Sequence, residues 1–113
     1  MTVTTTDLVA AVGVTYRQVD YWVRAGLLRT ARPVEGTGNR RRFHVQEIHV
    51  ARVVAALYAL GADHELARPV AAAVRAHPDR PLTAHIGLYV VEITDHHLTV
   101  TVPLAYGDRR ATA

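Results

Sequence analysis

Arg17, Asp20, Tyr21 and Arg24 share one short stretch with Thr15, Tyr16 and Gln18, and Arg40, Arg41 and Arg42 follow in an unbroken run. Guanidinium groups, a phenol, a carboxylate and small polar side chains are what hydrogen-bond base edges and phosphate oxygens in a major groove. At about 100° per residue, Arg17, Asp20, Tyr21 and Arg24 fall on one side of a helix, and Val19, Trp22 and Val23 fall on the other. The polar set therefore faces away from a core. Any solvated helix also carries charge on its outer face, and the arginine run is what shifts the balance towards a bound polyanion. Bond-making chemistry finds no support: serine is absent, and no G-x-S-x-G elbow, P-loop or dinucleotide fingerprint occurs. The chain is not expected to be an enzyme.

Seven histidines raise the question of a metal. Their spacing gives no ligand set, since His44 and His49 are five apart, His96 and His97 are adjacent, and no H-x-x-x-H or H-E-x-x-H is present. His44 is expected to cap the following helix with Glu47 answering it, and His96-His97 to lie in a solvated turn. Without cysteine there is no disulfide and no thiolate site. Neither a metal nor another cofactor is expected.

The polar residues need elements to hold them. Thr15 followed by Gln18 is a capping box, and Gly26 supplies a left-handed stop, so the spacing predicts a helix over Tyr16 to Ala25. Upstream, Thr4 with Asp7 caps another helix carrying Leu8, Val9 and Val12, and Gly13-Val14 makes the turn between the two. Two short helices around a glycine turn, the second with the polar face, form a helix-turn-helix. After it, Leu28 to Val34 and Arg40 to Phe43 are expected to pair around Glu35-Gly36-Thr37-Gly38-Asn39, residues tolerant of positive φ. Strand alternation puts Arg41 on the side of Phe43 and sends Arg40 and Arg42 the other way. Charge on an edge strand also blocks sheet aggregation without any ligand, but three arginines in a row exceed that need.

With these residues in place the run from about Val3 to Gly61, half the chain, resembles the DNA-binding domain of the MerR family. The resemblance is carried by Gly13-Val14-Thr15-Tyr16-Arg17-Gln18-Val19, Tyr21-Trp22, Gly26-Leu27-Leu28, Arg41-Arg42-Phe43 and Glu47-Ile48, in order. It implies that Thr15, Tyr16 and Arg17 enter the major groove, that Tyr21 and Arg24 brace the backbone, and that Arg41 holds a phosphate from the wing. One position departs: the family usually has arginine before the aromatic pair, and here Asp20 stands there. Its carboxylate is expected to orient Arg17 or Arg24, or else to accept from a cytosine amino group. The absence of cysteine also excludes the cysteine-based metal sensing known in parts of that family.

Charge agrees with a nucleic-acid partner. All 13 basic side chains are arginine, a bias that a GC-rich genome would also produce. Their placement says more: eight arginines between Val14 and Arg52 face Asp20, Glu35 and Glu47, a local balance of +5, whereas Gly61 to Ala113 holds five arginines against six acids. At 113 residues, half of them apolar, the chain suits one compact domain with a modest core. No stretch resembles a signal peptide or a membrane span, so a cytoplasmic, nucleoid-associated protein is expected.

Further along, Ile48, Ala51, Val54, Ala55 and Tyr58 keep a helical period from Val45 to Leu60, closing on Trp22, Leu27 and Phe43. Asp63 is expected to cap a fourth helix to Ala76 with Leu66, Val70, Ala73 and Val74 inward. Pro69 leaves two readings open: a kink at its sixth position, or a later start at Arg68 with proline in the first turn.

The layout expected is therefore α+β: a winged helix-turn-helix domain over 1–76, a linker over 77–82, a two-stranded β-hairpin over 83–106 around Asp95-His96-His97, and a frayed tail over 107–113. Ile86, Leu88 and Val90 would face one way on the first strand, and Tyr89, Val91 and Ile93 the other. A lone hairpin is unstable, so it packs on the fourth helix, joins a second copy through Tyr89, Val91 and Ile93, or does both. MerR regulators usually continue into a long dimerising helix and a separate effector domain; here the shared sheet of a dimer is expected in place of the coiled coil, and no effector domain is expected. The reading that results is a sequence-specific, homodimeric regulator of transcription on double-stranded DNA. An excisionase-type architectural factor with a similar winged domain is the alternative, and a protein-binding adaptor with a degenerate DNA site is the third.

Overall fold

The computed structural model describes residues 1–31, 41–79 and 81–103. They form two compact units, Met1–Pro78 and a second beginning at Asp79. In the first, a strand β1 (Thr2–Thr4) leads directly into helix α1 (Thr5–Val12), and α2 (Tyr16–Arg24) follows after one turn. The strand β2 (Arg42–His44) precedes α3 (Glu47–Ala59) and α4 (His64–Ala76).

Both short helices start as the capping residues dictate. Thr4 Oγ1 accepts from the Asp7 amide at 3.1 Å while the Asp7 carboxylate accepts from the Thr4 amide at 3.0 Å. Thr15 and Gln18 repeat the arrangement at the start of α2, at 3.1 and 2.9 Å. Each reciprocal pair satisfies two amides that a helix start leaves without partners. Gly13 at φ +82° closes α1 and Gly26 at φ +80° turns the chain out of α2.

The strand that pairs with β2 is β1, antiparallel, with Val3 opposite Phe43. The N-terminal residues thus belong to the base of the wing, which a reading by local pattern did not find. The expected first wing strand, Leu28 to Val34, is not a strand in its described part, residues 28–31, where the Ala31 amide alone reaches β2, donating to the Arg42 carbonyl at 2.7 Å. The predicted turn over Glu35 to Asn39, together with Arg40, lies outside the described residues.

Leu8, Val19, Trp22, Leu27 and Phe43 are fully buried together with Val50, Val54 and Leu57 of α3 and Val70 and Val74 of α4. The inward stripe of α3 is only in part the one expected: Ala51 and Val54 are buried as expected. Glu47, Val50, Ala51, Val53, Val54 and Leu57 are buried, while Ile48, Ala55 and Tyr58 are half-buried, so the helix is turned towards its Val50–Leu57 side. On α4, Ala67 and Ala71 are buried where Leu66 and Ala73 were expected. The helix begins at His64 with Asp63 as its cap, accepting from the Glu65 and Leu66 amides, and Pro69 lies inside it. That settles the start in favour of Asp63, at the cost of one backbone hydrogen bond. His44 caps nothing: Gln46 is the residue before α3 and has no side-chain cap.

The second unit is a three-stranded antiparallel meander, β3 (Leu82–Ile86), β4 (Tyr89–Ile93) and β5 (Leu98–Thr101). The expected first strand of a hairpin is in fact two strands. Gly87, at φ +58°, opens a two-residue turn with Leu88, the place where such a turn needs a positive φ. Ile86 and Tyr89 thereby become cross-strand partners on the same face. That face carries Leu82, Ala84, Val91, Ile93, Leu98 and Val100, and the other carries Thr83, His85, Glu92, Thr99 and Thr101. The turn through Asp95-His96-His97 joins β4 and β5 as expected, held by the Thr94 amide on the His97 carbonyl at 2.9 Å.

Candidate nucleic-acid interface

The outward face of α2 is built from its cap upward. Thr15 and Gln18 hold each other, which fixes the first turn but commits the Thr15 hydroxyl and the Gln18 carbonyl oxygen to the backbone. Tyr16 stands half exposed, and its phenol meets the Thr6 hydroxyl of α1 at 2.9 Å. This contact sets the ring's direction from the neighbouring helix. Arg17 is exposed and makes no hydrogen bond or ion pair among the described residues. Tyr21 is exposed as well.

Asp20 has two partners. Its Oδ1 accepts from Arg41 Nη1 at 2.8 Å, and its Oδ2 lies 3.1 Å from Arg24 Nε. The hydrogen bond from Arg41 holds the Asp20 carboxyl below its ordinary range, with a further contribution from Arg24. Of the roles expected for Asp20, orienting Arg24 is seen and orienting Arg17 is not. The pairing with Arg41, 21 residues away, leaves no mark in the sequence. Arg42 points the other way, exposed, as strand alternation requires, and contributes to the lowered Asp7 carboxyl, which the Thr4 amide and hydroxyl depress more strongly. Arg41, Arg24 and Asp20 thus meet at one place, whereas Arg17 stands apart.

Other arginines fasten the scaffold. Arg68 Nη2 donates to the Ala25 carbonyl at 2.8 Å, Arg52 Nη2 to the Ala11 carbonyl at 3.3 Å, and Arg75 Nη2 to the Leu27 carbonyl at 2.9 Å. Two of these carbonyls are at the ends of α1 and α2, where helices leave acceptors free. Glu47, buried, accepts from Arg75 through both oxygens and from the Arg29 amide at 2.8 Å. Start of the wing, start of α3 and end of α4 therefore meet on one carboxylate. An open cleft of about 320 Å³ lies there, bordered by Arg29, His44, Glu47 and Arg75. Its buried charges already satisfy each other.

Trp22 packs in a tilted ring pair on Tyr58, centroids 5.6 Å apart. The Tyr58 hydroxyl is buried with no hydrogen-bond partner among the described residues, and burial, with the Tyr21 phenol nearby, pushes it above the usual phenol range. No group of three or more His, Asp or Glu able to hold a metal occurs among the described residues. No helix among them is long and apolar enough to cross a membrane. Of the expected dimer residues, Tyr89 is exposed while Val91 and Ile93 are buried.

A capped helix pair around a glycine turn, followed by a wing strand and two further helices, defines a winged helix-turn-helix protein, a class that binds DNA. Residues 3–72 match the MerR HTH family regulatory proteins, and the chain belongs to that family. It is therefore a DNA-binding regulator of the MerR type. The comparison with curated proteins gives no match.

Proposed function

We propose that this protein is a sequence-specific regulator of transcription, acting on double-stranded DNA at the nucleoid as a homodimer. The observation that carries the reading is the exposed Tyr16–Arg17 pair at the start of α2, on a helix whose first turn is fixed by Thr15 and Gln18. A helix N-terminus favours phosphate through its free amides and dipole, while the side chains beside it reach base edges. Arg17 selects bases with help from Tyr16. Tyr21, Arg24 and Arg42 fix the register on the backbone, joined by Arg40 from the wing, while Arg41 stays on Asp20. The carbonyl-binding arginines of α3 and α4 hold the reading helix in place.

The homodimer is joined through the C-terminal sheet. Tyr89, Leu88 and Val102 are exposed. Because Val90 pairs with Thr101, Tyr89 and Val102 lie at the same end of that sheet. Such a patch suits a two-fold contact.

Selection of bound fragments from a random duplex pool at two salt concentrations tests both parts. An inverted repeat is the expected result. Tandem direct repeats would favour an excisionase-type architectural factor, and no enrichment at either salt would remove DNA reading altogether.

A further inference from the structure

We propose that Asp20 sets the DNA selectivity of this protein by holding the Arg41 guanidinium, which fixes the wing base to α2 and withholds one cation from phosphates in general. The inference rests on the DNA-binding reading above. Arg41 immediately precedes β2, and its side chain is only 18% exposed, against 73% for Arg24. It is drawn onto the α2 surface and does not extend along the wing. Asp20, 39% exposed, sits between the two guanidinium groups. One carboxylate among two cations leaves a local charge of one, so a phosphate arriving here meets half the cationic charge that the arginines alone would present.

The geometry separates two effects that a free arginine would combine. The ion pair ties the wing to the recognition helix before DNA arrives, so the angle between them does not have to be fixed on binding. It also lowers the sequence-independent part of the affinity, which comes from neutralised phosphates and grows with their number. Base reading by Arg17 is untouched, because Arg17 is not part of the cluster. A contribution equal on both duplexes cancels in the ratio of their affinities, so the gain in selectivity comes from the wing angle that the ion pair fixes, which suits the selected site and not mixed sequence.

The experiment compares wild type, Asp20→Asn, Asp20→Glu, and the double variant Asp20→Asn with Arg41→Ala. Each full chain is titrated by fluorescence anisotropy against its selected duplex and a mixed-sequence duplex over a salt series, with thermal melts alongside. Asp20→Asn should bind the mixed duplex several-fold tighter. Its slope of log K against log salt should steepen by about one, the value for one additional phosphate contact. Its ratio of selected to mixed affinity should fall. Asp20→Glu, which keeps the charge, should stay near wild type, and adding Arg41→Ala should cancel the gain of Asp20→Asn. A mixed-duplex affinity and slope unchanged in Asp20→Asn overturns the inference, as does a gain that persists in the double variant. Glu65→Gln removes the same charge from an exposed site elsewhere on the winged unit, and an equal gain there also overturns it. Wild type that binds neither duplex overturns the DNA-binding reading itself, and this inference with it.

Discussion

Arg75 donates to both carboxylate oxygens of Glu47, from Nε at 2.9 Å and from Nη2 at 2.8 Å, across 28 residues of sequence. Glu47 is 4% exposed and also accepts from the Arg29 amide, so this one side chain closes the base of the wing.

Removing either partner leaves the other buried and unpaired. Glu47→Ala and Arg75→Ala should each lower the unfolding free energy by about 3 kcal/mol in a denaturant titration. The double variant should lose clearly less than the sum of the two, because the second change removes a group already orphaned. Additive losses would mean that the two residues act independently.

Gly26 carries φ +80°, and a side chain there would meet nothing within 4 Å. The obstacle to a larger residue is therefore backbone strain alone. Gly26→Ala should cost about 1 kcal/mol of stability, and Gly26→Asn, better suited to left-handed backbone, less. Equal stability of the two variants would sink this account.

What the sequence disclosed follows from the range of the physics. Thr4–Asp7 and Thr15–Gln18 were legible because a capping box is complete within four residues, and Val19 and Trp22 because a helix repeats its face every turn. Asp20–Arg41 and Glu47–Arg75 were not, since nothing local marks a partner 21 or 28 residues away. Thr6, which braces Tyr16, was missed for the same reason. The β3–β4 turn was hidden differently. Ile86-Gly87-Leu88-Tyr89-Val90-Val91 is almost uninterrupted apolar sequence, and a single glycine without polar neighbours gave no turn signal. The shift of the buried stripe on α3 arose because apolar residues nearly encircle that helix, so periodicity left its rotation undetermined.

Asp7 and Asp20 are both held below the ordinary aspartate value of 3.8, Asp7 chiefly by the Thr4 amide and Asp20 chiefly by Arg41. A carboxyl depressed on folding contributes stability that is complete above the unfolded value and is lost as pH falls through the folded one. Their share should be constant from pH 7 down to about 5, and should fade only as pH passes below 3.8. Thermal melts from pH 2 to 7 check this: the variant carrying Asp7→Asn and Asp20→Asn should show a shallower acid decline than wild type. Parallel profiles would clear both residues of any part in acid unfolding.

Tyr89 is the exposed member of the residues expected at a dimer contact. Tyr89→Glu places a charge at that end of the sheet without altering the buried Val91 or Ile93. The mass in solution, by light scattering after gel filtration, should fall from two chains to one with the melting midpoint nearly unchanged. An unaltered dimer mass in a folded variant would move the contact elsewhere.

Arg17 and Arg42 are both exposed but lie on different elements, one at the start of α2 and one on β2. A base-reading arginine and a phosphate-holding one fail differently. Arg17→Ala should cost about 1–3 kcal/mol on the selected duplex and little on mixed sequence, with the preference at its base pair relaxed. Arg42→Ala should weaken both duplexes alike and make the salt slope shallower by about one. Repeating the pool selection with each variant gives the decision. If Arg17→Ala returns the wild-type sequence at full sharpness, base choice does not belong to that side chain, and Tyr16 and the Gln18 side-chain nitrogen are left on the first turn of α2 to carry it.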